Sequence, residues 1–239
     1  QAKPESTRLS EEISDYLQCR SRGDCSRFGL PKVLQHHFSL QCRILNIQSL
    51  NLHGCRVDLS CLRKLYDGLK NQHWLKFLNL QNNIIKNVSC EIIGDILNQN
   101  RAIEDLNLSN NSISDRGLIV LLQKLKALTE LQRLILSYNP LVKGGINFLS
   151  KQIARGFSIR WLDLSGNRCH IEDMKALFQA LNCSVLHTLV LEDVQQSLGS
   201  MNLLGRSLTR NMCLKKLSLK GCNLNDGHAI KLAPGIAQN

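Results

Sequence analysis

The sequence predicts an α/β solenoid, a right-handed horseshoe of 28-residue repeats with parallel strands on its concave face and helices on its convex face. Three observations predict this architecture. Leucines recur at fixed spacing, an Asn or Cys returns once in most repeats, and a second leucine spacing is typical of helices. The chain has 239 residues, of which 43% are hydrophobic, and this is enough for a continuous core.

The strand half of each repeat carries the pattern L-x-x-L-x-L-x-x-[N/C]-x-L, which occurs seven times, with the sixth copy degraded. The Asn or Cys position is occupied in turn by Cys55, Asn83, Asn111, Asn139, Asn167, Val194 and Cys222. Successive positions are 28 residues apart, except for one interval of 27. Because the leucines of L-x-L alternate with exposed residues, each copy predicts a short strand with one buried face. The polar side chain that follows can bond to backbone groups that the turn leaves unpaired.

The other half of each repeat has the leucine spacing i, i+3, i+4, i+7 of a helix with one buried face. Examples are Leu118, Leu121, Leu122 and Leu125, and also Leu59, Leu62, Leu65 and Leu69. Ser114 or Asp115 is placed to cap the helix that begins there. Because a helix is wider than a strand, we expect the stacked repeats to curve toward the strands.

This period resembles the ribonuclease-inhibitor class of leucine-rich repeats, and the resemblance covers residues 44–239. It implies a leucine-rich-repeat domain of about seven repeats and is nearly silent on function. Residues 1–43 fall outside the period and are expected to form an N-terminal capping segment. The last repeat ends at Asn239 without a polar cap, so we expect the domain to be C-terminally incomplete.

The net charge of +11 is distributed unevenly along the chain. Residues 115–160 contain eight basic side chains and two acidic ones, and residues 200–239 contain six basic side chains and one acidic one. This excess favours an acidic partner, and the alternative is a charged surface that only aids solubility. No segment has the roughly 18 apolar residues that a membrane helix needs, so no membrane contact is expected.

The ten cysteines do not cluster at the two ends of the chain, where disulfide-bonded caps would lie. Several occupy repeat positions that favour a small buried side chain, among them Cys55, Cys169 and Cys222. We interpret them as reduced thiols, which indicates a nuclear or cytoplasmic protein.

The repeat register places candidate protein-binding residues on the concave face. Large apolar side chains are expected to face solvent there beside an arginine, a combination typical of interface centres. The candidates are Phe77, Arg133, Ile135, Tyr138, Trp161 and Val190. The alternative interpretation is that Arg133 only pairs with Asp105 and that Trp161 only packs across a neighbouring strand residue.

The sequence contains no phosphate-binding loop, nucleophile motif or zinc motif, so we expect no enzyme activity, catalytic residue, cofactor or metal. His36, His37 and Cys42 match no standard zinc spacing. Lys215, Lys216 and Lys220 are candidate contacts for an acidic protein or, as a secondary expectation, for nucleic acid. The isolated domain is expected to be a monomer.

The chain also resembles the C-terminal leucine-rich-repeat domain of the Tonsoku-like proteins over residues 30–195. The matching features are residues 33–35, a divergent first repeat at 47–57, and residues 129–141, which contain the unit L-x-x-L-x-L-S-x-N-P-L. The resemblance implies a nuclear scaffold that supports recombination repair of damaged replication forks. In that family this domain holds a large helical partner protein.

Three other functions fit the same fold. The first is a sensor or autoinhibitory repeat domain of an intracellular innate-immune receptor. The second is an actin-regulating or GTPase-regulating repeat domain, and the third is direct binding of nucleic acid through the basic stretches. Upstream ankyrin repeats would favour the repair scaffold, whereas an upstream P-loop ATPase module would favour the receptor.

Overall fold

A computed structural model describes residues 48–69, 73–125 and 130–239. Within these residues each repeat contributes one strand followed by one helix. The strands are β1 (Ser49–Asn51), β2 (Phe77–Asn79), β3 (Asp105–Asn107), β4 (Arg133–Ile135), β5 (Trp161–Asp163), β6 (Thr188–Val190) and β7 (Lys216–Ser218). The helices are α1 (Leu59–Gly68), α2 (Ser89–Gln99), α3 (Asp115–Lys124), α4 (Gly145–Ala154), α5 (Ile171–Ala180), α6 (Leu198–Leu208) and α7 (Asp226–Gln238). The expected capping segment and the histidines at 36 and 37 lie outside the described residues.

The strands form one seven-stranded parallel sheet in sequence order, and the helices form a second layer. Equivalent residues of neighbouring repeats pair, so Arg133 lies between Asp105 and Trp161. The predicted register is therefore confirmed. A helix is about 10 Å wide, whereas paired strands are about 4.8 Å apart, so the array curves with the strands on its inner side.

The core lies between the two layers and is built from the leucines of both patterns. In the fourth repeat Leu134 and Leu136 are 0% exposed, and Leu118 and Leu121 of the preceding helix meet the same core. Each fully buried Leu contributes about 1.5–3 kcal/mol through removal of apolar surface from water. Because every strand is only three residues long, this packing holds the sheet in place.

The asparagine that follows each central strand binds backbone groups of two repeats. The Nδ2 of Asn139 donates to the carbonyl oxygens of Leu108 at 2.9 Å, Leu136 at 3.1 Å and Ser137 at 3.3 Å. Its Oδ1 accepts from the backbone N–H of Ile113 at 3.1 Å. The same arrangement recurs at Asn83, Asn111 and Asn167. The prediction that these side chains satisfy turn backbone is confirmed.

We call the residues at the Asn or Cys position of successive repeats the ladder. Its chemistry changes in the last two repeats. The thiol of Cys222 donates to the carbonyl oxygen of Leu191 at 2.9 Å and takes the place of the amide. Val194 is fully buried and has no side-chain polar group to bind the turn. The repeat that contains Val194 is the one with the 27-residue interval, so this unit depends on apolar packing at the ladder position.

Ser114 precedes α3 at the cap position, but the expected side-chain hydrogen bond to the start of this helix is absent, so that prediction is wrong. The Ser114 hydroxyl accepts from Asn87 of the preceding repeat. The Asp115 carboxylate instead accepts from the backbone N–H groups at the start of α4, those of Val142, Lys143 and Gly145. Asp115 thus caps the next helix, because its side chain points along the solenoid and Gly144 offers that helix no side-chain cap.

Six cysteines among the described residues are free thiols; they are Cys61, Cys90, Cys169, Cys183, Cys213 and Cys222. Cys55 and Cys222 are buried as predicted, whereas Cys169 is only half-buried. Burial raises the pKa of the Cys90 thiol and of the Cys169 thiol to about 12. These two thiols therefore remain protonated near neutral pH, where only the thiolate would react.

Candidate protein-binding face

The first and third residues of each strand have side chains on the face of the sheet opposite the helices, while the middle leucine is directed into the core. We call the first positions the strand-start row; it consists of Ser49, Phe77, Asp105, Arg133, Trp161, Thr188 and Lys216. Four of the candidates from the sequence lie in this row: Phe77, Arg133, Trp161 and Lys216. It runs across the solenoid, with roughly one strand spacing of 5 Å between neighbours.

Trp161 lies between two cationic side chains of this row. The guanidinium carbon of Arg133 is 4.3 Å from the centroid of the indole ring, and the Nζ of Lys216 is 5.7 Å from it. Lys216 belongs to the second strand beyond Trp161, and it reaches the ring across Thr188, which is short and buried. Both cations lie within the range of a cation–π attraction, so they hold the indole in a defined orientation.

Arg133 is incompletely paired within the protein. Its Nε is 3.6 Å from the Oδ2 of Asp105, which is too long for a hydrogen bond, and this Nε has no other partner. Burial raises the pKa of the Asp105 carboxyl group, and the nearby Arg133 charge opposes that rise. The Arg133 side chain keeps 41% of its surface exposed. The contacts of the alternative interpretation are thus present. The unpartnered Nε is itself buried, and the exposed part of Arg133 is the remainder of its side chain.

Tyr138 follows β4 at a position where the backbone is left-handed, with a φ of 54°. The equivalent residues of the other repeats also have positive φ; they are Gly54, Asn82, Asn110, Gly166, Asp193 and Gly221. We call these seven residues the turn row. Gly, Asn and Asp tolerate this conformation, whereas a tyrosine there is uncommon. Tyr138 is therefore the one bulky member of the turn row.

The ring of Tyr138 lies over the next repeat. A side chain at Gly166 would collide with the Tyr138 ring, so the glycine provides the space that the ring occupies. The phenol hydroxyl donates to the Oδ2 of Asp193 at 3.4 Å, two repeats away. The negative charges of Asp193, Glu192 and Asp163 raise the pKa of the phenol, so it stays a neutral donor. Tyr138 nevertheless remains 55% exposed.

Of the remaining candidates, Phe77 is 44% exposed and Val190 is half-buried. The expectation that Ile135 faces solvent is wrong, since it is only 9% exposed. Ile135 lies on the inner face between Asn107 and Asp163 of the neighbouring strands. The third residues of β3, β4 and β5 lie side by side, and Ile135, the middle one, is covered by its neighbours. Ile135 therefore offers a partner little surface and supports the residues around it.

Lys215, Lys216 and Lys220 are all exposed, and none of the ion pairs within the described residues involves them. Sequence reasoning missed Gly166 and Asp193 as partners of Tyr138. Aligning the turn row alone would have revealed one aromatic among glycine, asparagine and aspartate. The same residues, 48–69, 73–125 and 130–239, contain no group of three His, Cys, Asp or Glu side chains that could hold a metal ion.

A family profile described as Leucine Rich repeat matches residues 99–122 and 210–233, which lie in the third and seventh repeats. This match agrees with the parallel sheet and the alternating helices. The fold is a leucine-rich-repeat solenoid. No helix of this solenoid, within the residues described, is long and apolar enough to cross a membrane.

The solenoid is similar to repeat regions of two kinds of protein. It is 29% identical over 197 residues to human NACHT, LRR and PYD domains-containing protein 5, covering 81% of this chain and 16% of that protein. It is 32% identical over 196 residues to the ribonuclease inhibitor of Sus scrofa, covering 80% of this chain and 43% of the inhibitor. The chain thus spans less than half the length of these relatives.

Among solved structures, an internalin from Listeria monocytogenes matches with a TM-score of 0.48 and 19% identity, over 81% of this chain and 47% of that chain. The ribonuclease inhibitor agrees with the predicted repeat class. The NACHT proteins agree with the receptor alternative. These relatives give no support to a Tonsoku-like identity or to a role in DNA repair.

Proposed function

We propose that the leucine-rich-repeat solenoid binds another protein on its concave sheet, with Trp161 and Arg133 at the centre and with Tyr138 and Phe77 beside them. The observation that carries the proposal is the stacked pair of Trp161 and Arg133, 4.3 Å apart on a rigid sheet. A partly exposed indole that stacks against a partly exposed arginine has the composition of an interface centre. One relative is named as an inhibitor of another protein, ribonuclease, and this also supports protein binding.

The partner is proposed to be acidic where it meets this centre. Arg133 and Lys216 flank the indole, and Lys215, the residue before Lys216, is exposed. A carboxylate of the partner would meet the exposed part of Arg133 and the exposed Lys216, two cations in a partly desolvated site.

At the level of the whole protein, we propose that the solenoid is the repeat region of a larger sensor or receptor. The similarity to NACHT, LRR and PYD domains-containing protein 5 favours this reading over an actin- or GTPase-regulating protein. A scaffold for recombination repair has no supporting observation. The free thiols of Cys61, Cys90, Cys169, Cys183, Cys213 and Cys222 fit the reducing compartment expected from the sequence.

Replacing Trp161 by alanine tests the proposed face. Truncation of a central interface Trp commonly costs about 2–4 kcal/mol, so binding should weaken roughly 30- to 1000-fold. Proteins captured from extract by the parent chain should be lost with Trp161→Ala and retained with Trp74→Ala. Trp74 is the matched control because it is 55% exposed and lies before β2, outside the strand-start row.

The melting temperature of Trp161→Ala should stay within a few degrees of the parent, since no buried core residue is lost. Arg133→Glu should weaken capture in the same direction, and its effect should diminish with added salt. Normal capture by a folded Trp161→Ala protein would contradict the assignment of the face.

The competing function, nucleic-acid binding, predicts a different pattern. Loss of affinity would then follow substitution of Lys215, Lys216 and Lys220, with a steep dependence on salt and little effect of Trp161→Ala. Measuring the salt dependence of binding to a duplex oligonucleotide therefore separates the two functions.

A further inference from the structure

Charges of opposite sign are segregated across the concave face. Around Trp161 the strand-start row is cationic, through Arg133 and Lys216. Around Tyr138, at the turns that follow the strands, the face is anionic through Glu192 and Asp193. Both of these charges raise the pKa of the Tyr138 phenol. The two regions lie at opposite ends of the strands in repeats four to seven. Each borders one opposite charge: Asp105 is 3.6 Å from Arg133, and the carbonyl oxygen of Lys220 accepts from the N–H of Asp193 at 2.8 Å.

The separation between the regions follows from the register. Trp161 opens β5, and Gly166, under the Tyr138 ring, stands five positions later in the same repeat. At about 3.3 Å per extended residue, with the turn shortening the path, the two regions are roughly 10–15 Å apart. An extended peptide spans that distance with three to five residues.

Neither region is neutralised by the other. No ion pair within the described parts of the chain includes Glu192, Asp193 or Lys216. Glu192 accepts only a neutral hydrogen bond, from the hydroxyl of Ser218 at 2.7 Å. A single-sign partner would satisfy one region and be repelled by the other, because like charges that meet across an interface are destabilising.

We infer that the concave face recognises a protein segment of mixed charge, which presents an acidic side chain to Arg133, Trp161 and Lys216 and a Lys or Arg side chain to Tyr138, Glu192 and Asp193. This inference rests on the proposed function and adds the order of charges on the partner. The exposed side chain of Tyr138 offers a cation–π contact, and the two carboxylates supply the counter-charge. Together the two regions fix the direction in which the segment lies.

The inference is tested with a displayed library of random 12-residue peptides selected on the 239-residue chain. Two charge variants are used in parallel: Arg133→Glu with Lys216→Glu, and Glu192→Lys with Asp193→Asn. Asparagine is chosen at 193 because it tolerates the left-handed backbone that Asn82 and Asn110 also adopt. Lys151→Glu, on the exposed side of α4, is the matched charge control.

Peptides enriched on the parent and on the control should contain Asp or Glu and Lys or Arg, three to five residues apart in a constant order. The first variant should select peptides without the acidic residue, and the second should select peptides without the basic residue. A parent-selected peptide, once synthesised, should bind each charge variant roughly tenfold or more weakly than the parent.

Enriched peptides that carry one sign of charge, or that bind the Glu192→Lys, Asp193→Asn variant as well as the parent, would overturn this inference and leave the proposed function standing. Peptides that bind Trp161→Ala as tightly as the parent, or a failure to enrich any peptide, would contradict the proposed function itself. Circular dichroism of every variant confirms that the compared proteins are folded.

Discussion

Tyr138 occupies a left-handed backbone position at which all other repeats have Gly, Asn or Asp. For a residue with a side chain, this conformation costs roughly 1–2 kcal/mol. The ring gains a contact with Gly166 and a hydrogen bond of 3.4 Å to Asp193, yet more than half of it stays exposed. Unfavourable backbone conformations that persist in this way are concentrated at functional sites.

Replacing Tyr138 by asparagine should therefore separate stability from binding. The free energy of unfolding should change by less than about 1 kcal/mol, because relief of the backbone offsets the lost ring contacts. Binding of the partner should weaken, because an exposed aromatic is removed from the face. Denaturant unfolding and affinity are measured on the same variant. A large loss of stability with unchanged affinity would show that the ring has only a structural role.

The thiols of Cys90 and Cys169 give a second prediction about single residues. With a pKa of about 12, Cys90 and Cys169 are protonated at pH 8, so iodoacetamide should label them far more slowly than the exposed Cys183. Mass spectrometry after labelling of the native chain measures the difference. After denaturation without reductant all ten cysteines should react, and fewer than eight would contradict the expectation of reduced thiols.

The same two thiols make stability depend on pH. Their pKa rises from 9.0 to about 12 on folding, so the folded chain holds these protons more tightly than the unfolded chain. Their contribution is fully present below pH 9 and is lost as the pH rises towards 12. Cys90→Ala should make the fall of unfolding free energy in that window shallower. A fall as steep as in the parent would contradict the raised pKa.

Elements of this fold are held in register by side chains that bind the backbone of the neighbouring repeat. Each ladder asparagine ties two carbonyl groups of its own turn to one carbonyl and one N–H of the preceding repeat, as Asn139 does with Leu108 and Ile113. Asp115 does the same for the start of α4. Strands of three residues depend on such bonds, because a short strand makes few backbone hydrogen bonds to its neighbouring strands.

Asn139→Ala and Asn111→Ala should each lower the free energy of unfolding by roughly 1–3 kcal/mol, since backbone groups of the turn lose their partners. Asn182→Ala is the control, because that side chain is exposed. Urea unfolding of the three variants makes the comparison. If the two ladder variants unfolded at the same urea concentration as the control, the ladder would not be the stabilising feature described.

The sequence was sufficient for the strand register and for the ladder, because both depend on positions within one repeat. The cap of α4 could not be predicted, since Asp115 acts on the next repeat and nothing in its own repeat marks that direction. The burial of Ile135 also depends on neighbouring strands and on curvature. The contact of Lys216 with Trp161 depends on the short Thr188 between them, and only the assembled sheet shows this.

At the scale of the whole molecule, each repeat contacts its sequence neighbours, and the sheet follows the order of the chain. One side chain per repeat thus becomes part of a continuous row, and widely separated residues such as Arg133 and Lys216 meet at one indole. Because the sheet already holds this row in place, binding does not require the row to become ordered, and this favours affinity.

We propose that a partner protein lies on the concave strands. A photo-crosslinking phenylalanine analogue placed at Phe77, which is 44% exposed on β2, tests it most directly. The same analogue at Lys151, on the exposed side of α4, is the control. We predict that the partner retained by the parent chain is crosslinked from position 77 and not from position 151. Crosslinking from position 151 with none from position 77 would place the partner on the helices and contradict the account.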